Sequence, residues 1–428
     1  MEKVRRKHDK SIERSEIDRI SNLPWDVLDT ILVNLSLKDA ARTSILSKKW
    51  RYKWTSLSQY IVDDKCIPSS VMDKAARWVE IKKIIDQVRS NHSGPIEKFK
   101  LTAYCRPDYS DLNQWITFLT EKGIKELSIQ EFSLIAHFKL PPCIFSCPKL
   151  TCLELYGCVL RLPSSFRGFD CLKTLQLSQV SITSDTLELL VSNCYVLERL
   201  TLLNIDHLSF VKIHNPNLKY VKIDSKFGDI CLGNGPHLAS VDIRMIPIHD
   251  GRAIHQPPEE KESNLVRVLG SFHGTKRLSL SNQFLEFLVN VFVPPRLPLL
   301  ASLLSLSLRE IRFTHIKDIV ASIFIIRSAP NLSDLHVTVE TSDEVYDPVM
   351  ELMTQCYCGI YFSHLKVINI RGIFGTEIEW EFIKFLLCHS PVLESMTIVK
   401  YIGDRIPEWQ LLGVDRASNH VKFTSLSL

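Results

Sequence analysis

The sequence predicts an α/β chain: a three-helix unit at the N-terminus, then a curved solenoid of strand-and-helix repeats with a parallel sheet on its concave face. Three observations carry this. An apolar triplet with spacing x, x+3, x+5 recurs twelve times between Ile96 and Ile398. The residue at x+4 is polar or charged in every copy, from Lys100 and Ser128 to Asn369 and Thr397. Finally, 428 residues exceed what one compact core holds, so the chain must be several domains or an elongated array.

The N-terminal unit spans residues 19–60, after a basic tail at 1–18 (Lys3, Arg5, Arg6, Lys7, Lys10) that reads as disordered and solvated. Pro24 suits a first helical turn, where its missing N–H is not needed. Leu28, Ile31, Leu32 and Leu35 follow at i, i+3, i+4, i+7 and give one apolar face. Ser36 and Asp39 form the capping pattern that opens a second helix through Ala40, Ala41 and Ile45. Ser47 suits the cap of a third, with Trp50 and Trp54 one turn apart. So short a unit carries more apolar side chains than it can hide, so another protein or the rest of the chain must cover them.

Residues 61–95 read as a helical joint, with Trp78, Ile81, Ile84, Ile85 and Val88 on the segment Ser70 to Asn91. The solenoid follows over 96–358. Positions x+3 and x+5 share one face of a strand, and x+4 points the other way, so each copy is a short strand buried on one side and wet on the other. The clearest copies are Leu150-Leu153-Leu155, Leu172-Leu175-Leu177 and Leu197-Leu200-Leu202, with Cys158, Val180 and Ile205 continuing the buried side at x+8. Copies start about 20 to 37 residues apart, near the repeat length of leucine-rich repeats. Helices are expected at 111–122, 184–193, 317–327 and 377–388. Two insertions, His249–Ser263 and Thr341–Tyr361, read as exposed loops able to carry function. The C-terminal segment 359–428 reads as a further repeat module: strand, glycine turn, helix capped by Thr376 with Glu379, strand.

Composition excludes several classes. A net charge of +4 over this length gives no mandate for nucleic-acid or membrane binding. No apolar run reaches the ~18 residues of a membrane span. The early charges are unlike a secretory signal, so the expected location is nucleus or cytoplasm, with the twelve cysteines as free thiols. The sequons at Asn91 and Asn331 then carry no meaning. Cys143, Cys147, Cys152 and Cys158 lack the paired spacing of a zinc site, as do Cys356 and Cys358, so no metal is expected. No phosphate-cradling glycine loop, nucleophile elbow or zinc-protease pattern occurs, so neither catalysis nor a cofactor is expected.

The stretch Leu23–Trp54 resembles an F-box. The matching residues are Leu23, Pro24, Leu28, Ile31, Leu32, Leu35, Asp39, Leu46, Ser47, Trp50, Arg51 and Trp54; Lys53 departs from the usual apolar residue. Leu365–Ile398 is similar to the FBD module that accompanies F-boxes and leucine-rich repeats in plant proteins, through Gly372, Gly375, Thr376, Glu379, Leu386, Leu387, Ser390, Pro391, Leu393 and Glu394. The resemblance implies docking on a Skp-type adaptor, and through it on a cullin, by Leu23, Pro24, Leu28, Ile31, Leu32, Leu35, Leu46 and Trp50. The chain would then be a non-catalytic substrate adaptor of a ubiquitin ligase.

The outward positions x+2, x+4 and x+6 supply a candidate surface for an unknown protein target: Arg199, Tyr220, Lys222, Arg244, Arg277, Arg309 and Arg371, among Asp224, Asp242 and Asp334. Tyrosine and arginine are common interface anchors. Two alternatives stay open: a small-molecule receptor with an anion held by these arginines, or an F-box scaffold outside any ligase.

Overall fold

A computed structural model of the chain describes residues 23–46, 48, 50–103, 109–131, 138–206, 208–233, 235–246, 264–288, 298–340, 361–401 and 416–427. The basic tail, Ser47, the loop 249–263 and all of the second insertion except Tyr361 lie outside them.

One parallel sheet organises the molecule. Its fourteen strands lie side by side in chain order: β1 (Gln59–Val62), β2 (Lys98–Ala103), β3 (Glu126–Glu131), β4 (Cys152–Tyr156), β5 (Thr174–Ser178), β6 (Arg199–Leu203), β7 (Tyr220–Ser225), β8 (Ser240–Met245), β9 (Arg277–Ser281), β10 (Ser305–Ile311), β11 (Asp334–Val339), β12 (Val367–Ile373), β13 (Ser395–Lys400) and β14 (Lys422–Ser427). The helices run α1 (Trp25–Leu32), α2 (Leu37–Arg42), α3 (Lys74–Asn91), α4 (Tyr109–Glu121), α5 (Ser184–Ser192), α6 (Asn264–Gly270), α7 (Asn282–Leu288), α8 (Ile316–Arg327) and α9 (Glu377–His389). Phe210–Ile213 with Asp229–Leu232, and Phe138–Lys139 with Cys158–Val159, form small side sheets.

The triplet rule accounts for twelve of the strands, β2 to β13. Every x+3 and x+5 residue in the twelve copies is at most 4% exposed. Those residues also stand in register: Leu153 faces Leu175, Leu175 faces Leu200, Leu200 faces Val221, and so on along the sheet. Each unit thus buries its leucines against its neighbours, the economy that lets a solenoid grow in one dimension. The residues at x+8 close the layer: Cys158 and Val180 are 0% exposed and Ile205 2%.

One position recurs that the triplet does not announce. At x+7 the backbone turns into the left-handed region: Gly157 (φ 75°), Gln179 (50°) and Asn204 (49°) just past their strands, and Glu310 (61°) and Gly372 (85°) where β10 and β12 shift register. At Gly372 the constraint is also spatial, because a Cβ would sit 2.8 Å from the Val339 carbonyl oxygen. The helix after it is held by a reciprocal cap. The Thr376 hydroxyl accepts from the Glu379 N–H at 3.4 Å, and the buried Glu379 carboxylate accepts from the Gly375 and Thr376 N–H groups at 2.7 and 2.8 Å.

Several expectations need correction. The sheet starts at Gln59, inside what the sequence assigns to the N-terminal unit. Its last strand, Lys422–Ser427, has no triplet. The second helix gives way to a 3-10 turn at Thr43–Ile45, and where a third was expected the described residues form turns and a 3-10 helix at Lys53–Ser56. Local side chains there compete for backbone carbonyls: the Thr43 hydroxyl donates to Ala40, Ser44 to Arg51 and Thr55 to Tyr52. Pro24 stands at the N-cap of α1, one residue before the first turn.

The N-terminal unit and the sheet share one core, in which Leu28, Leu32, Leu37, Ala40 and Trp50 join the solenoid leucines. Polar contacts fix the joint. The Asp29 carboxylate accepts from the Ser58 N–H at 3.2 Å and from its hydroxyl at 2.7 Å. The Tyr60 hydroxyl, on β1, donates to the Trp54 carbonyl at 3.1 Å and lies 3.1 Å from Nδ1 of the buried His92. With that hydroxyl proton committed, Nδ1–H is the donor to Tyr60, and the buried Nε2 has no hydrogen-bond partner among the described residues. Burial holds the His92 imidazole below its usual pKa.

Candidate functional site

Two surfaces carry the predicted functional residues. The first is the outer side of the N-terminal unit. Alternation along α1 divides the predicted apolar face: Leu28 and Leu32 are 1% and 0% exposed, turned into the chain's own core, whereas Ile31 and Leu35 are 42% and 41% exposed. Trp50 is buried, Leu23 is half-buried against the core, and Pro24 and Leu46 face solvent. Of the eight adaptor-docking candidates, then, Leu28, Leu32 and Trp50 serve the fold.

Residues the sequence reading did not single out extend the free apolar surface: Trp25, Val27 and Tyr52. Ile45, expected within the second helix, joins them at 86% exposed: the helix ends at Arg42 and Ile45 closes the 3-10 turn that follows. Among the described residues the large exposed apolar side chains therefore concentrate between Trp25 and Tyr52, whereas elsewhere they are scattered along the chain. Ser36 pins the corner of this surface: its hydroxyl caps α2 at Asp39 N–H and donates to the Asp39 carboxylate at 2.7 Å, holding that carboxyl below its usual pKa.

The second surface is the open face of the sheet, lined by x+2, x+4 and x+6. Here the sequence places cations among interleaved acids, and the structure divides them into paired and unpaired sets. Lys222 and Asp242 are register partners, with Nζ 3.9 Å from the carboxylate, and Asp224 and Arg244 are the next pair at 3.8 Å. Two arginines reach across the intervening strand β9, which carries only Ser279 and Ser281 beside them. Arg309 of β10 bonds Asp242 of β8, and Arg244 of β8 meets Glu310 at 2.9 Å. Three cations and three acids thus neutralise one another over β7 to β10.

The remaining three predicted arginines have uncharged neighbours on both sides. Arg199 lies between Thr174 and Tyr220, with its guanidinium 5.0 Å from the Tyr220 ring centroid. Arg277 lies between Ser240 and Ser305, and Arg371 between Thr338 and Val399. All three are exposed, and among the described residues Arg277 and Arg371 have no acidic partner.

Five of the described thiols are poor nucleophiles. Burial pushes Cys152 and Cys194 up to about 11 and raises Cys66, Cys143 and Cys147, the opposite of an activated cysteine. Among the described residues no three His, Cys, Asp or Glu side chains form a metal-binding group, and no helix is long and apolar enough to cross a membrane.

Comparison with known proteins assigns these regions. The F-box domain profile matches residues 20–61, the profile for the leucine-rich repeats of the FBD-associated F-box protein At5g56370 matches 112–337, and the FBD profile matches 362–398. The chain is 35% identical to the F-box/FBD/LRR-repeat protein At1g13570 of Arabidopsis thaliana over 394 residues, 91% of this chain and 92% of the relative. It is 28% identical to the F-box/FBD/LRR-repeat protein At1g51370 of the same plant over 411 residues, 90% of each chain. It is also 25% identical to its F-box/LRR-repeat protein 13 over 439 residues, 93% of each.

Proposed function

From the premise that this chain belongs to the F-box/FBD/LRR-repeat family, we propose that it is the substrate-recognition adaptor of a Skp–cullin–F-box ubiquitin ligase. Its F-box docks on a Skp-type adaptor and through it on a cullin, while the open face of the repeat sheet holds a protein target. The observation that carries this is the concentration of exposed apolar side chains on the F-box. Ile31, Leu35, Ile45 and Leu46 stand in water although the same short segment buries Leu28, Leu32 and Trp50. Leaving several large aliphatics exposed forfeits about 1.5–3 kcal/mol for each fully exposed side chain, which a partner recovers by covering them.

The chain contributes no chemistry to the transfer. It holds target lysines near a ubiquitin-charged enzyme carried by the cullin, and so raises their effective concentration. The Asp29–Ser58 bonds and the shared core support this role, because they join the docking surface to the sheet without a loose hinge. The test is direct. The purified chain should form a stable complex with a Skp-type adaptor on size exclusion, and should bring cullin down with it. A chain that elutes alone beside a saturating adaptor would refute the assignment.

A further inference from the structure

Between the F-box and the helix that leads into the solenoid lies a cavity of 350 Å³. On α2, Leu37 and Ala41 stand one turn apart, as do Lys38 and Arg42 beside them, so one side of this helix faces the cavity. Ile84 and Gln87, one turn apart on α3, form the opposite wall, and Trp54 and Cys66 complete it. The space is there because Ala41 is small: a longer side chain at that position would fill it. Trp54 and Ile84 pack against the core yet stay half-buried, since nothing in the described chain covers the sides they turn to the cavity. None of the exposed apolar residues Ile31, Leu35, Ile45 and Leu46 lines it, so it is separate from the docking surface.

The cavity has an apolar floor and a polar mouth. Leu37 and Cys66 are buried, whereas Lys38 is half-buried and Arg42 and Gln87 are exposed. The mouth carries one unmatched positive charge. Asp39 accepts from the Ser36 hydroxyl at 2.7 Å and from Arg42 at 3.3 Å, so Arg42 is answered within its own helix. Among the described residues Lys38 forms no ion pair and the Gln87 amide no hydrogen bond. An ammonium and an amide N–H are together the partners of one carboxylate, the first for its charge and the second for its other oxygen. The volume falls at the small end of the range of small-molecule sites, about 300–1,000 Å³.

We propose that this cavity binds a small monocarboxylate with a short aryl or alkyl body, its carboxylate held between Lys38 and Gln87 and its body against Trp54, Ala41 and Ile84. The Trp54 ring favours an aryl body, because rings pair with a preferred geometry that an alkyl chain lacks. Lys38 belongs to the F-box and Gln87 to the connecting helix, so the bound acid braces the joint between the docking end and the repeat sheet.

The experiment is isothermal titration calorimetry of the full chain with phenylbutyrate, phenylbutanol and phenylbutylamine, which share one body and differ in the head group. The acid should bind saturably, one molecule per chain, the alcohol about two- to fivefold more weakly, and the amine more weakly still. Lys38→Gln should weaken the acid about two- to fivefold and leave the alcohol unchanged. Ala41→Met, which fills the cavity, should abolish saturable binding, with adaptor capture on size exclusion as the check that the F-box is intact. Lys83→Ala on α3, which removes a cation already paired with Glu80 and outside the cavity, should leave the acid bound as before. No saturable binding of the acid, equal binding of acid and amine, or an Ala41→Met variant that captures the adaptor and still binds the acid like the wild type, overturns the proposal. Should Ala41→Met lose capture, Lys38→Gln decides, and an acid held as tightly by that variant as by the wild type overturns it. So does loss of acid binding beside a saturating adaptor, which would give the cavity to the adaptor's interface.

Discussion

The buried and exposed apolar residues of the F-box should fail in opposite ways when substituted. Leu32 is 0% exposed and packs into the core shared with the solenoid. Leu32→Ala removes that packing and leaves a cavity, at a cost of about 2–5 kcal/mol of stability. Ile31 and Leu46 are 42% and 67% exposed. Substituting both by Asp takes little from the fold, about 0.5 kcal/mol or less at each site. The adaptor, however, loses what it would have covered. Scaling about 1.5–3 kcal/mol per fully buried side chain by those exposed fractions gives about 1.6–3.3 kcal/mol together, a roughly 15- to 200-fold weaker complex, before any cost of burying two carboxylates. Chemical denaturation and adaptor titration on the same preparations separate the effects. If Ile31→Asp/Leu46→Asp binds the adaptor undiminished, this surface is not where docking occurs. If Leu32→Ala unfolds like the wild type, the shared core is misassigned.

Three further outcomes follow from the same structure. Leu200→Ala and Leu335→Ala, both 0% exposed, should each lose about 2–5 kcal/mol in urea unfolding, while Arg277→Ala should stay within about 0.5 kcal/mol. Gly372→Ala should cost about 1–3 kcal/mol, because it places a Cβ 2.8 Å from the Val339 carbonyl at φ 85°; a melting temperature equal to wild type would refute the steric argument. His92 has a folded pKa depressed by burial, so the unfolded chain binds the proton first as pH falls below about 6.5. Its stabilising contribution is therefore complete above that pH and declines on acidification through the folded pKa, by at most about 1.4 kcal/mol per pH unit. Thermal melts from pH 7.5 to 5.5 should show that decline flattened in His92→Gln, and parallel curves for the two proteins would contradict it.

The sheet was legible because its signal is local. A polar residue locked between two apolar ones at x+3 and x+5 leaves a strand little choice of face, and the copies from Phe99–Leu101 to Met396–Ile398 obey it. The helices of α4, α5, α8 and α9 were legible for the same reason, through periodicity and, at Thr376, a cap. The first and last strands were not, since Gln59–Val62 is too short to show a period and Lys422–Ser427 buries none of its described side chains. Helical spacing placed Leu28, Ile31, Leu32 and Leu35 together, but spacing cannot say which of them meets the rest of the chain. The arginine pairing was hidden for a different reason: Arg309 meets Asp242 67 residues away, over a strand whose serines leave room, and only the assembled register brings them together.

The central claim is that the chain is a bridge with separable ends. The most direct measurement is quantitative affinity purification from plant cells of the wild-type chain and of Ile31→Asp/Leu46→Asp, with the half-life of each co-purified protein followed in parallel. The account predicts that the variant loses the Skp-type adaptor and cullin together, keeps its other partner, and lengthens that partner's half-life. Adaptor and cullin retained at wild-type levels, or a partner whose abundance and half-life do not respond, would contradict it.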